Sequence, residues 1–209
     1  MGSEVSTGAG RKARGRDERR QAILDGAFAV FARRGYAQTC VQEVAQEAGV
    51  AKPTVYNHLA DKESLYREAV EAAADRVGAR SLAVVEGLRE VAPDADLREG
   101  LRAAGRGLLQ ACHDEEARAV HRLASAEAAR FPDLETSARE RTALRIRSAL
   151  ADRLARLVLA GRLRPCEPEL AAEHFLALLT GPLVYRPDAE PDALARAAAE
   201  VFLRAYGPG

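Results

Sequence analysis

Residues 39–65 read TCVQEVAQEAGVAKPTVYNHLADKESL. Val41, Val44 and Ala45 fall at helical spacing, and Gly49 is placed to close that helix after about two turns. Thr39 and Gln42 fit a capping box at its start, each side chain serving a backbone N–H. Pro53 suits the first turn of a following helix, where its missing N–H costs nothing. Asp61 can cap a third helix, because a carboxylate there meets free N–H groups and the positive dipole end. Helices this short carry small apolar faces and need a neighbour to pack on. Residues 17–34 supply one: Ile23, Leu24, Ala27, Phe28 and Phe31 form one face of a helix, Gly35 ends it, and Tyr36 tucks back beneath. Val50, Val55 and Leu59 then plug the shared core.

Core packing leaves Lys52, Thr54, Tyr56, Asn57 and His58 unused on the second short helix. Two short helices joined by a glycine turn and braced by a third present a helix to the major groove of DNA. Hydroxyl and ammonium groups suit phosphate oxygens, while Asn can pair with adenine and a Thr methyl can touch a thymine methyl. Tyr56 reads as a phosphate contact in preference to a rim aromatic. His58 serves either packing or recognition, and Lys62 reads equally as a contact or as an ordinary solvated lysine.

These residues resemble the TetR family of bacterial transcriptional regulators. The resemblance runs from Ala27 to Leu65, through Gly35-Tyr36, Thr39, Val44-Ala45, Ala48-Gly49-Val50, Thr54-Val55-Tyr56-Asn57-His58, Asp61-Lys62-Glu63 and Leu65. It implies a three-helix DNA-binding domain and a larger helical domain that binds a small effector and forms a dimer. It also implies a repressor that leaves its operator when ligand binds. Carried over by position, Thr39 contacts phosphate at the start of the second helix. Lys52, Pro53, Thr54, Tyr56, Asn57 and His58 form the recognition helix, and Lys62 meets the backbone at the head of the fourth. Four positions depart from the family pattern: Cys40 and Ala51 stand where hydroxyl residues are frequent, Pro53 where Gly is common, and Leu59 where an aromatic is usual. The run LASAEAARFPDL at 123–134 resembles one subgroup of the family.

The whole chain reads as all-α. Of its 209 residues 47% are hydrophobic but only 5% aromatic, so the apolar content is mostly Ala, Leu and Val, and Ala and Leu are strong helix formers. The expected organisation is a disordered basic arm over 1–16, a helix-turn-helix domain over 17–62, and a helical effector-binding and dimerisation domain over 63–209. Helices are expected over 62–91, 97–113, 115–130, 132–161, 169–183 and 192–206. The 31 basic and 31 acidic residues balance, so net charge by itself does not suggest nucleic acid. The local run RKARGRDERR at 11–20 can lie along a phosphate backbone or act as a solubilising tail.

The three cysteines, Cys40, Cys112 and Cys166, show no paired spacing, and the start of the chain is polar, which suggests reduced thiols in the cytoplasm. No apolar run approaches the ~20 residues needed to span a bilayer. His113 and His121 lie eight apart with Ala117 between them, so a charged surface is favoured over a metal site. No hydrolase, metalloprotease or phosphate-loop motif is present, and no cofactor is expected. Cys112 reads as a small buried hydrophobe. With His121, Glu127 and Arg130 it completes the candidate effector set, although Glu127 can simply pair with Arg130. The last two helices carry more apolar residues than outer helices need. Phe175, Leu178, Leu179, Val201 and Phe202 therefore read as a homodimer interface, with intramolecular core as the alternative. The function expected is a ligand-responsive, dimeric DNA-binding regulator, most simply a repressor. A helical protein-interaction module and an enzyme are the alternatives.

Overall fold

The computed structural model describes residues 7–88 and 96–208. The described elements are α1 (Thr7–Gln38), α2 (Val41–Glu47), α3 (Lys52–His58), α4 (Lys62–Gly87), α5 (Leu97–His113), α6 (Glu115–Ala126), α7 (Pro132–Arg139), α8 (Arg145–Leu159), α9 (Pro168–Thr180) and α10 (Pro191–Tyr206). No strand occurs among the described residues. The chain divides into two compact units. One comprises residues up to Ala73 together with Ala119–Glu135, and the other Ala74–Arg118 together with residues from Thr136 onward.

Several expectations about the elements are corrected. Helix α1 begins at Thr7, inside the stretch 1–16 expected to be a disordered arm. Residues 1–6 lie outside the described residues, as do 89–95, where a helix end near Val91 was expected. The helix expected over 115–130 ends at Ala126 and gives way to a turn. The long helix expected over 132–161 is interrupted by a π-helical turn, Glu140–Leu144. At Gly78 a Cβ would lie 2.2 Å from the Arg141 carbonyl oxygen, so α4 meets this turn at a position where only hydrogen fits.

In the first unit α1 buries Ile23, Leu24, Ala27, Phe28 and Phe31, as its spacing predicts. These residues share a core with Val44 and Ala45 of α2, Val55 of α3, Leu59, and Leu65 and Tyr66 of α4. Phe131 and Leu134, from the α6–α7 segment, are also buried. The Tyr66 hydroxyl donates to the Leu123 carbonyl at 2.8 Å, which satisfies its polar end inside the core. Burial pushes the Tyr66 phenol well above its ordinary value. Gly26 lets α1 approach the end of α2, since a Cβ there would sit 3.0 Å from the Ala48 nitrogen.

The second unit has its own core of Leu101, Leu108, Leu109, Ile146, Leu150, Leu154, Phe175, Leu179, Leu194 and Phe202. The Phe175 and Phe202 rings meet edge to face at 5.3 Å. This corrects the interface reading for Phe175, Leu179 and Phe202, which are 0%, 1% and 0% exposed within a single chain. They face α5 within the chain, while Leu170 of α9 and Val201 of α10 stay exposed. Val201 is 46% exposed and Leu178 is partly buried.

Candidate nucleic-acid interface

The turn between α2 and α3 follows from Gly49. Its φ of 65° is the left-handed conformation that glycine adopts without strain. Gly49 N–H donates to the Gln46 carbonyl at 3.1 Å and Val50 N–H to the Ala45 carbonyl at 2.9 Å. These two bonds form a Schellman ending, which satisfies carbonyls that the last turn of a helix leaves open. The chain then enters α3 at Ala51, whose extended backbone caps the helix without a side-chain bond, with Pro53 in the first turn.

Within α3 only Val55 is buried. Lys52, Pro53, Tyr56 and Asn57 are exposed, and Thr54 and His58 are partly covered. Tyr56 is 47% exposed and takes no part in the core. The face that carries these side chains makes no further demand on packing. It offers an ammonium, two hydroxyls, an amide and an imidazole, which are groups suited to phosphate oxygens and base edges.

Thr39 sits differently from its neighbours. It is 4% exposed, and its hydroxyl donates to the Gly35 carbonyl at 2.8 Å. The side chain therefore ties off the end of α1, where Gly35 breaks the helix with a φ of 75°. The N-cap of α2 is Cys40 in place of Thr39, and its N–H donates to Glu43 Oε2 at 3.3 Å. The capping pair thus lies one residue later than Thr39 and Gln42.

Asp61 caps α4 as expected: Ser64 N–H donates to its carboxylate at 2.7 Å. That backbone bond holds the Asp61 carboxyl below its ordinary pKa. Lys62 stands at the first turn, with its Nζ 4.6 Å from the centroid of the Tyr36 ring and 3.4 Å from the Ala37 carbonyl oxygen. Its ammonium lies at the seam between the end of α1 and the start of α4. Arg33 pairs with Glu47 at 2.6 Å and Arg34 with Glu43 at 3.1 Å, so both ends of α2 are fastened to α1. Sequence reasoning missed these pairs, because they join residues on different helices at no regular spacing.

The four candidate effector residues are divided between the units. Cys112 belongs to the second, while His121, Glu127 and Arg130 belong to the first. Cys112 is exposed and not the small buried hydrophobe expected, although desolvation around its sulfur still pushes the thiol pKa upward. His121 is exposed and Glu127 partly buried. Arg130 reaches Glu63 at 2.5 Å, and its guanidinium carbon lies 4.7 Å from the Tyr36 ring centroid. A cleft of about 670 Å³ in the second unit is lined by Leu97, Leu157 and Leu203 with Arg98 and Arg162, and by none of these four residues.

A three-helix unit with a Schellman turn and a second short helix stripped of packing duties is a helix-turn-helix DNA-binding module. Residues 23–69 match the family described as bacterial regulatory proteins, tetR family, and residues 99–208 match the AefR-like transcriptional repressor C-terminal domain. The chain belongs to the TetR family of bacterial transcriptional regulators. It is similar to the HTH-type transcriptional activator FasR of Mycolicibacterium smegmatis, 38% identical over 90 residues that cover 43% of this chain and 38% of that protein. It is also similar to the HTH-type transcriptional repressor Rv1474c of Mycobacterium tuberculosis, 28% identical over 80% of this chain and 81% of that one. The match to FasR thus spans well under half of that relative's length. Among solved structures, a TetR-family transcriptional regulator from Mesorhizobium loti superposes with a TM-score of 0.83 and 29% identity, covering 92% of this chain and 98% of that one.

Proposed function

We propose that this chain is a dimeric repressor that binds an operator through α3 and releases it when a small molecule occupies the second unit. The observation that carries the DNA reading is the exposed Tyr56, on a helix whose one buried residue is Val55. Lys52, Pro53, Thr54, Asn57 and His58 share the contact surface in this reading, and Lys62 adds a phosphate contact from α4. Thr39 acts by fixing the entry to α2: its hydroxyl donates to the Gly35 carbonyl and its amide to the Tyr36 carbonyl. The exposed helical residues Arg14, Arg16 and Arg19 of α1 add positive charge, while Arg20 is paired with Glu68.

Dimerisation is supported by apolar side chains of the second unit that its own core leaves uncovered. Leu159, Leu170, Val184, Tyr185 and Val201 are all exposed, and Val184 and Tyr185 are 77% and 87% so. A two-fold pair would bury them and present two copies of α3 to half-sites about 34–36 Å apart, or a multiple of that spacing. No described helix is long and apolar enough to cross a membrane. The reading places the protein with the chromosome in the cytoplasm. Release is a population shift, in which effector favours a dimer geometry whose recognition helices no longer match successive major grooves.

Selection of bound duplexes from a random-sequence pool tests the reading. An enriched inverted repeat supports it, and a pool that stays random contradicts it. A reporter behind the selected sequence then separates repression, in which expression rises on removal of the protein, from the activation named for FasR.

A further inference from the structure

The ring of Tyr36 carries two cations. Lys62 Nζ lies 4.6 Å from its centroid and the Arg130 guanidinium carbon 4.7 Å. The ring is itself buried, in edge contact with Tyr66 at 5.0 Å and Phe131 at 5.4 Å, so it is a fixed platform. Arg130 also lies 5.6 Å from the Phe131 ring centroid and pairs with Glu63 at 2.5 Å. Glu63 follows Lys62 in the first turn of α4. One patch therefore joins a candidate phosphate-binding ammonium, the carboxylate beside it, and an arginine contributed from 67 positions further along the chain.

Without Arg130 the Glu63 carboxylate keeps only Arg67 nearby, itself bonded to Asp133, and would act against DNA binding in two ways. It would draw the Lys62 ammonium off the ring into a pair of its own, and it would repel an approaching phosphate. Both effects are Coulombic and act within a few ångströms, well inside the ~10 Å screening length at 0.1 M salt. A guanidinium bonded to that carboxylate removes both. The Tyr36 ring meanwhile attracts Lys62, as it does Arg130, through its negative π-density.

We propose that Arg130 is a positioning residue for DNA binding: by engaging Glu63 it keeps the Lys62 ammonium seated on Tyr36 and available to a phosphate. Its guanidinium is engaged by the Glu63 carboxylate and the Tyr36 ring. The inference rests on the DNA-binding reading of α3 and Lys62, and it assigns the Arg-Phe-Pro run to the reader of the operator.

The test is a double-substitution cycle of Arg130→Gln and Glu63→Gln, read by fluorescence anisotropy on one fluorescein-labelled duplex retained by the wild-type protein. Arg130→Gln should bind about tenfold more weakly at low salt, and the loss should shrink as salt rises. The double variant should return to within about twofold of wild type, and Arg130→Lys should bind like wild type. A merely structural pair would show the same rescue in its denaturation midpoint, so the midpoints of all variants are read alongside: binding that changes while the midpoints hold supports the proposal, and binding that only follows them overturns it. If Arg130→Gln binds normally, or if the double variant is as weak as the single one, the proposal is overturned. Should Arg130→Gln fail to fold, Glu63→Gln alone decides: binding at least as tight as wild type supports the proposal, and weaker binding overturns it. A wild-type protein that retains no duplex overturns the DNA-binding reading as well, and that result appears before any variant is compared.

Discussion

Helices α3 and α10 use their side chains in opposite ways. Of the seven residues of α3 only Val55 enters the core, and an exposed tyrosine, lysine and asparagine face outward. Helix α10 buries Leu194, Ala195, Ala198, Ala199 and Phe202, and its apolar face is consumed by the fold. Side chains left over after packing carry functional information, and the leftovers differ in kind. On α3 they are polar groups and one aromatic, suited to a polyanion. Around α9 and α10 they are Leu170, Val184, Tyr185 and Val201, suited to another protein surface.

That contrast can be broken first at the core. Phe202→Ala should destabilise the protein by about 3–5 kcal/mol, since it empties a fully buried ring site. Chemical denaturation reads this directly. Val201→Ala, one position away and half exposed, should change stability by less than about 0.5 kcal/mol in the monomer. A large loss at Val201 together with a small one at Phe202 would reverse the assignment of core and surface on α10.

The next effect concerns α3. Tyr56→Ala should weaken operator binding by about 1–3 kcal/mol while leaving the denaturation midpoint nearly unchanged. A melting loss as large as the binding loss would show that the ring serves packing. Gly49→Ala should cost about 1 kcal/mol of stability, because the left-handed turn is closed to a Cβ on conformational grounds alone. Nothing lies within 4 Å of where that Cβ would sit, so a much larger loss would point to an unrecognised contact.

The smallest effect is the pH dependence from Asp61. Its folded pKa is depressed by the Ser64 amide, so the unfolded chain binds the proton more readily. The stabilisation is therefore present above the unfolded carboxyl value of about 3.9 and is lost as pH falls through the lower folded value. Asp61→Asn should flatten that part of the acid unfolding curve. An unchanged curve would remove the cap from the account.

The DNA-reading half was legible because its constraints are local. Gly35, Gly49 and Asp61 mark helix ends through backbone chemistry, and Ile23 to Phe31 show their buried face by spacing alone. The residues around α9 and α10 were less legible. Phe175 and Phe202 have the same apolar character whether they pack on α5 of their own chain or on a second chain, and spacing does not distinguish the partner. The role of Arg130 was hidden for a related reason. Its partners Glu63 and Tyr36 lie far from it in sequence, and only the folded chain brings them together. The capping pair at α2 slipped by one residue because Thr39 was used for the end of α1.

The central claim is that α3 meets the phosphates and bases of a duplex. The most direct measurement is the salt dependence of binding to one selected duplex for wild type and for Lys52→Gln. The account predicts affinity that falls steeply and linearly on logarithmic axes, with the slope for Lys52→Gln shallower by about one. Binding that ignores salt, or a slope that the substitution leaves unchanged, would contradict it.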